Sequence, residues 1–126
     1  MVSLDINAST TPLTLLAPLA RTSTTNGSGV DLTGYQGLAA VYLHNNTTSG
    51  TTPTLDVKIQ DSADNSTFAD VTGYTFTQVT AALTNPAGLT IDTRKCRQYI
   101  RAVATIGGTT PSFLCAVTLL ATKQTI

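Results

Sequence analysis

The stretch QYIRAVATIGGTTPSFLCAVTLL, from Gln98 to Leu120, decides the fold class. It contains two runs in which apolar residues alternate with other residues, separated by the turn-forming residues IGGTTP. Such alternation is typical of strands with one buried face, and the intervening glycines and proline predict a hairpin turn. A four-residue turn would place Ile106 opposite Pro111. In that register small and large residues share one continuous apolar face: Ile100 faces Val117, Ala102 faces Cys115, and Ala104 faces Phe113.

Further short strands are predicted upstream of this hairpin. They cover residues 37–44, 54–60, 68–72, 74–80 and 89–92. Turn signals separate them at short intervals, and no convincing amphipathic helix occurs between them. The sequence therefore predicts an all-β fold, an antiparallel β-sandwich of either jelly-roll or immunoglobulin-like type. No internal repeat is apparent.

Composition agrees with this fold class and narrows the possible partners. The 126 residues suit one domain, roughly a fifth of them are threonine, and only 11% are charged. Seven basic and seven acidic side chains cancel, so no overall charge draws the chain to nucleic acid or to a membrane. The start of the chain, MVSLDINASTTPLTLLAP, has neither a basic leader nor a long apolar run. We expect the chain to fold in the cytoplasm.

Residues 1–29 are predicted to form an N-terminal arm and flexible linker, and residues 30–126 the sandwich domain. Pro12 and Pro18 do not fit a central strand, so the first apolar residues belong to an edge or an arm. The following stretch RTSTTNGSG, residues 21–29, is small, polar and typical of a linker.

The two cysteines are predicted to be free thiols. In the hairpin register Cys115 lies opposite Ala102, which is about six residues, or ~20 Å of strand, from Cys96. A disulfide requires Cα atoms within roughly 7 Å. We expect Cys115 in the core and a reducing compartment.

The acidic stretch LDVKIQDSADNSTFADV, from Leu55 to Val71, is predicted to be a second hairpin. Pairing Val57 with Val71 keeps the apolar residues on one face, sets Lys58 beside Asp70, and leaves residues 62–66 as the loop. The remaining oxygen-bearing side chains could suit calcium, but their spacing matches no EF-hand, and the same residue types form turns. We interpret them as a turn and expect no metal site. These side chains are Asp61, Asp64, Asn65 and Ser66.

Nothing in the sequence indicates catalysis or a cofactor. The single histidine, His44, ends an apolar strand, and no serine or cysteine lies near it in a pattern typical of a nucleophile. Asp61 and Asp64 fall on a predicted loop tip without an apolar pocket to raise their pKa. We expect a protein that is not an enzyme.

The densest charge lies in DTRKCRQYIR, where Arg94, Lys95, Arg97 and Arg101 follow closely. This cluster could hold an acidic partner surface, or it could be a solvated strand entry. Nucleic-acid binding is disfavoured because no aromatic stacking residues are interleaved with the basic ones. The outer face of the last hairpin, with Tyr99, Val103 and Leu114, is mixed rather than polar, so we expect it to be covered.

Two stretches carry a resemblance to a known group of proteins. LDVKIQDSADNSTFADV followed by IDTRKCRQYIRAVATIGGTTPSFLCAVTLL resembles the small β-sandwich structural proteins of tailed bacteriophages and prophages. In that group a VxxQxSxD strand and hairpin precede an R(Y/F)(I/V)R strand and a GG(T/S)xP turn. The resemblance covers the chain from Thr54 onward.

The resemblance implies a virion structural protein, foremost a capsid decoration or cement protein that bridges capsid subunits. It would be assembled in the host cytoplasm, form a homo-oligomer, and contact the major capsid protein or other virion proteins. Its arm would pair with a neighbouring chain by strand addition. The expected contact residues are Leu4, Ile6, Leu13, Leu15, Leu16, Arg94, Arg97, Tyr99, Arg101, Val103 and Leu114.

Two alternatives stay open from the sequence. One is a glycan-binding module, for which only Tyr35, Tyr42, Tyr74 and Tyr99 could serve as aromatic platforms. The other is a tail or head–tail connector component, which would differ from a decoration protein only in the symmetry of its assembly.

Overall fold

A computed structural model describes residues 5–124, and nearly all of its regular structure is antiparallel strand. The predicted all-β class is confirmed. No helix among these residues has the length and apolar character needed to cross a membrane. The elements are α1 (Ile6–Ser9), β1 (Thr10–Arg21), β2 (Thr25–Asn26), β3 (Val30–Asp31), β4 (Leu38–Ser62), β5 (Ala69–Thr75), β6 (Ala87–Asp92), a 3-10 turn (Thr93–Lys95) and β7 (Tyr99–Thr122).

Two long strands, β4 and β7, form the centre of the molecule. They pair antiparallel over their whole length, from Ala40 opposite Leu120 to Ser62 opposite Tyr99. The predicted hairpin within β7 is therefore wrong. Its two halves do not face each other, because each is hydrogen-bonded to a different half of β4.

The segment that was predicted to be a hairpin turn is a kink in a continuous strand. The tetrapeptide GTTP occurs twice, at residues 50–53 in β4 and 108–111 in β7, and the two copies lie opposite each other. They share one backbone shape: φ is +109° at Gly50 and +108° at Gly108, and +46° at Thr52 and +47° at Thr110. The sequence thus contains a short internal repeat, contrary to our expectation, and it bends both strands at the same level.

The kinks divide the sheet into two layers that share β4 and β7. Layer A runs in the order β1, residues 112–122 of β7, residues 38–49 of β4, and β6. Layer B runs in the order β2 and β3, residues 99–107 of β7, residues 54–62 of β4, and β5. With each half of β4 and β7 counted separately, and with β2 and β3 taken together as one interrupted edge strand, eight strands form two four-stranded layers. This arrangement is that of a jelly roll, one of the two predicted sandwich types.

The core lies between the inner faces of the two layers. Val41, Leu43 and Leu119 of layer A and Val57 and Ile59 of layer B are all at most 1% exposed, and they belong to one hydrophobic cluster. The inward residues predicted from alternation are buried as well, although they pair with β4 instead of with each other. These are Ile100, Ala102, Ala104, Phe113, Cys115 and Val117, none more than 2% exposed.

The part of the predicted arm that the structure describes is mostly an edge strand of layer A. β1 pairs with β7 of its own chain, from Thr10 opposite Thr122 to Arg21 opposite Phe113, with bulges on the way. Leu15 and Leu16 are only 1% and 3% exposed. The expectation that these two residues contact a partner is therefore corrected, since burial in the core keeps them from the surface. Leu4 lies outside the described residues.

Replacing Gly108 by alanine should destabilise the fold strongly. A Cβ there would lie 2.6 Å from the carbonyl oxygen of Thr52, in a backbone conformation with φ of +108°. We expect a loss of about 3 kcal/mol in the free energy of unfolding, from the backbone conformation together with the clash.

Gly73→Ala is the matched control, because φ there is +87° but no atom lies within 4 Å of the added carbon. It should cost only about 1–2 kcal/mol. Urea unfolding followed by circular dichroism compares the two variants, and equal losses would contradict the proposed close approach of the two kinks.

Candidate functional site

The acidic hairpin between β4 and β5 is held by its own polar groups. Lys58 Nζ lies 3.0 Å from Asp70 Oδ1, and the Gln60 side-chain amide donates to the same carboxylate at 2.8 Å. The predicted Lys58–Asp70 pair is confirmed. The predicted register is wrong, because an irregularity after Lys58 sets Gln60, not Lys58, opposite Asp70.

Asp64 forms the tip of this hairpin. Its Oδ1 accepts hydrogen bonds from the backbone N–H groups of Ser66 and Thr67, at 2.9 and 3.0 Å, and from the Ser62 hydroxyl at 2.8 Å. These hydrogen bonds lower the pKa of Asp64 to about 2, and the two from the backbone contribute more than the one from the hydroxyl. Within residues 5–124, no three His, Cys, Asp or Glu side chains form a group that could hold a metal ion.

Asp61 does not belong to the loop but joins β4 to the segment before β7. Arg97 donates to its carboxylate from the backbone N–H at 2.9 Å and from Nε at 3.1 Å, and its Nη2 reaches Oδ1 and the Asp61 carbonyl oxygen, both at 2.9 Å. Burial alone would raise the pKa of Asp61, but the Arg97 hydrogen bonds and charge bring it below its usual value. Arg97 is thus first a structural residue.

The basic residues of this segment present their cations outward. The Arg94 side chain is 75% exposed while its partner Asp92 is 15% exposed, and Arg97 is 47% exposed while Asp61 is 11% exposed. Lys95 between them is exposed too. We call Arg94, Lys95 and Arg97 the basic patch. Arg94 and Arg97 also line an open cleft of about 300 Å³ together with Thr33 and Gln98, and the Gln98 side chain donates a hydrogen bond to Asp31.

Arg101 is separate from the basic patch. Its guanidinium lies 4.1 Å from the centroid of the Phe68 ring, and its Nε donates to Gln60 at 2.9 Å. Val103 is only 6% exposed, whereas Leu114 is 39% exposed and lies in layer A. The predicted contact face of Tyr99, Val103 and Leu114 is therefore corrected: the kink in β7 puts these residues in different layers.

The nucleophilic side chains are not activated. Burial, with smaller contributions from the carboxylates of Asp61 and Asp92, raises the pKa of the Cys96 thiol to about 11. Burial also raises the pKa of Cys115, which is 2% exposed. Both cysteines are free, and the predicted core position of Cys115 is confirmed. His44 is exposed on β4, and Tyr42 is the tyrosine that is exposed among residues 5–124.

Charge is distributed unevenly between the two layers, a feature not predicted from the sequence. In layer A, residues 38–49 of β4 and 112–122 of β7 include no Asp, Glu, Lys or Arg, and each edge strand carries a single charge at its last residue, Arg21 of β1 and Asp92 of β6. Layer B carries Asp31, Asp56, Lys58, Asp70 and Arg101. The long charge-free stretches were visible in the sequence, but their grouping into one layer depends on the pairing of β4 with β7.

The fold is shared with proteins of very different sequence. No protein-family model and no curated protein matches this chain. It aligns with the PBSX exported protein XepA at a TM-score of 0.63 and 12% identity, over 99% of this chain and 40% of that one. The SPBc2 prophage-derived protein YomS aligns at 0.53 and 14%, over 89% of this chain and 91% of that one. A chain of the infectious bursal disease virus Gx strain aligns at 0.60 and 14%, over 98% and 36%.

These likenesses concern the fold. The chain spans well under half the length of the XepA and bursal virus chains that it matches. The jelly roll described above therefore has structural counterparts in prophage-derived and viral proteins.

Removing the carboxylate of Asp64 should change how stability depends on pH. The lowered pKa means that this group stabilises the fold fully above its ordinary value of 3.8, and that the contribution is lost as pH falls toward about 2. Asp64→Asn keeps an oxygen acceptor without the charge, so its deficit relative to the wild type should vanish between pH 4 and about pH 2. Urea midpoints measured across this range check the expectation, and a deficit independent of pH would contradict it.

Arg97→Lys should destabilise the protein although it preserves the charge. Lysine cannot reproduce the fork that donates from both Nε and Nη2, so we expect a loss of about 1–2 kcal/mol in the free energy of unfolding. Arg94→Lys is the control, because Arg94 is largely exposed and bonds only within its own turn. It should stay within about 0.5 kcal/mol of wild type in the same denaturation experiment. Similar losses in the free energy of unfolding for both variants would contradict the structural role assigned to Arg97.

Proposed function

We propose that this protein is a structural component of a tailed-bacteriophage virion, and that it decorates the head and bridges subunits of the major capsid protein. The shared fold with prophage-derived and viral proteins supports a virion setting. The ionisable side chains of Asp61, Asp64 and Arg97 form hydrogen bonds that stabilise the fold.

The observation that carries this proposal is the division of one small molecule into two chemically different halves. Layer B and the basic patch hold most of the charge, whereas layer A carries charge only at the ends of its edge strands, Arg21 and Asp92, and exposes Leu38 (60%), Tyr42 (38%) and Leu114 (39%). A bridging protein needs two distinct contact surfaces. A charged surface can orient the protein on the head, while an apolar surface can be buried against a neighbouring protein.

The basic patch is the surface we assign to the capsid. Its carboxylate partners are mostly buried while its cations are exposed, so the region presents positive potential although the chain has no net charge. This potential suits an acidic area on the head surface. Residues 1–29 would add Ile6, which is 59% exposed, and the half-buried Leu13 to the contact.

Reversing the charge of Lys95 should weaken attachment to heads. Lys95→Glu changes an exposed residue that no ion pair of the described structure uses, so the fold should be kept. We expect at least roughly tenfold weaker co-sedimentation with heads from a phage that lacks this gene, and a steep loss of wild-type binding as salt is raised.

Lys58→Glu is the charge-matched control, since it makes the same change of charge on β4, outside the basic patch; because it also breaks the Lys58–Asp70 ion pair, circular dichroism first checks that it is folded. It should bind nearly as well as wild type. If both variants weakened head binding equally, the binding would depend on the overall charge of the protein, and the role of the basic patch would be contradicted. Absence of the wild-type protein from the head lattice in electron micrographs, with a single ring at the neck or tail instead, would overturn decoration in favour of a connector.

A further inference from the structure

The outer face of layer A carries no Asp, Glu, Lys or Arg on its two central strands. In residues 38–45 of β4 and 113–121 of β7, the odd-numbered side chains point into the core. The even-numbered side chains therefore point outward. We call this outward surface the uncharged face. Its residues on these two strands include Leu38, Ala40, Tyr42, His44, Leu114 and Leu120.

Exposed apolar side chains collect in this part of the molecule. Of the described residues, the large hydrophobic ones that are exposed are Ile6, Leu19, Leu38, Tyr42 and Leu114, and they lie on strands of layer A or on the helix that leads into it. Leu38 and Leu120 also line a shallow apolar cavity of about 270 Å³ with Thr90 and Thr122. An apolar surface of this kind marks an interaction site.

We propose that the uncharged face binds the same face of a second copy of this chain, layer against layer about a two-fold axis. A two-fold contact brings each side chain close to its own counterpart, so any exposed charge near the axis would meet a like charge. The two central strands of the layer meet this requirement, because residues 38–49 and 112–122 include no Asp, Glu, Lys or Arg, and the charges of the edge strands, Arg21 and Asp92, lie at the ends of those strands. A different partner would gain from charge complementarity, which this face cannot offer.

The size of the face limits the strength of this dimer. Four strands at ~4.8 Å spacing and about seven residues at ~3.3 Å per residue cover roughly 450 Å² on each copy. The roughly 900 Å² buried in total is less than the ~1,200–2,000 Å² of stable specific interfaces. The contact is therefore weak in free solution. It becomes effective where a lattice holds copies side by side and raises their effective concentration.

Sedimentation of the purified full-length protein over a wide concentration range tests the inference without any capsid present. We expect a reversible monomer–dimer equilibrium with a dissociation constant in the micromolar range or weaker. Leu38→Glu and Tyr42→Glu should each weaken dimerisation at least roughly tenfold, because each places two like charges in one small interface. Thr105→Glu, an exposed position on β7 in layer B, is the control and should leave the equilibrium unchanged. Circular dichroism melting confirms that the variants are folded.

The outcomes separate this inference from the proposed function. A wild-type protein that stays monomeric at every concentration, or a dimer that Leu38→Glu and Tyr42→Glu leave intact, overturns the pairing. Loss of head binding by Leu38→Glu in a protein that never dimerises would assign the face to the capsid instead. Dimerisation of a protein that binds no heads would support the pairing and count against the capsid role.

Discussion

The fold depends on one constraint, the paired kink at residues 50–53 and 108–111. Each layer needs two central strands, and β4 and β7 supply them to both layers because they bend at the same level. The bend brings the backbones so close that only glycine fits at Gly50 and Gly108, and it holds two threonines at positive φ, which is unfavourable for a β-branched residue. The packed layers on both sides maintain this strained conformation.

Much of the fold could be predicted because alternation reports which side of a strand is buried. Ile100, Cys115 and Val117 were assigned to the core correctly from their spacing alone. The pairing partners could not be predicted, since GTTP has the composition of a hairpin turn, and composition does not distinguish a turn from a kink in a paired strand. The predicted register was therefore wrong in residues 98–120, where the alternation and the turn residues gave the strongest sequence signal.

The candidate site was predictable only in part, for related reasons. The Lys58–Asp70 pair is local and emerged from a short hairpin, whereas the Asp61–Arg97 contact joins residues far apart in the sequence and needs the β4–β7 pairing. Strand addition from a neighbouring chain uses the same backbone hydrogen bonds as pairing within a chain, so the sequence of β1 could not identify its partner. The uncharged face arises from the same long-range pairing.

The pairing of β1 with β7 also sets when the chain can fold during its synthesis. Of the described strands, β1 is synthesised first and β7 last, yet the two pair with each other, and β4 also pairs with β7. Neither layer can be completed before its own part of β7, residues 99–107 or residues 112–122, has been synthesised. Such non-local topology folds slowly, and the apolar strands stay exposed meanwhile. Loss of residues 99–122 would therefore leave each layer without one of its two central strands.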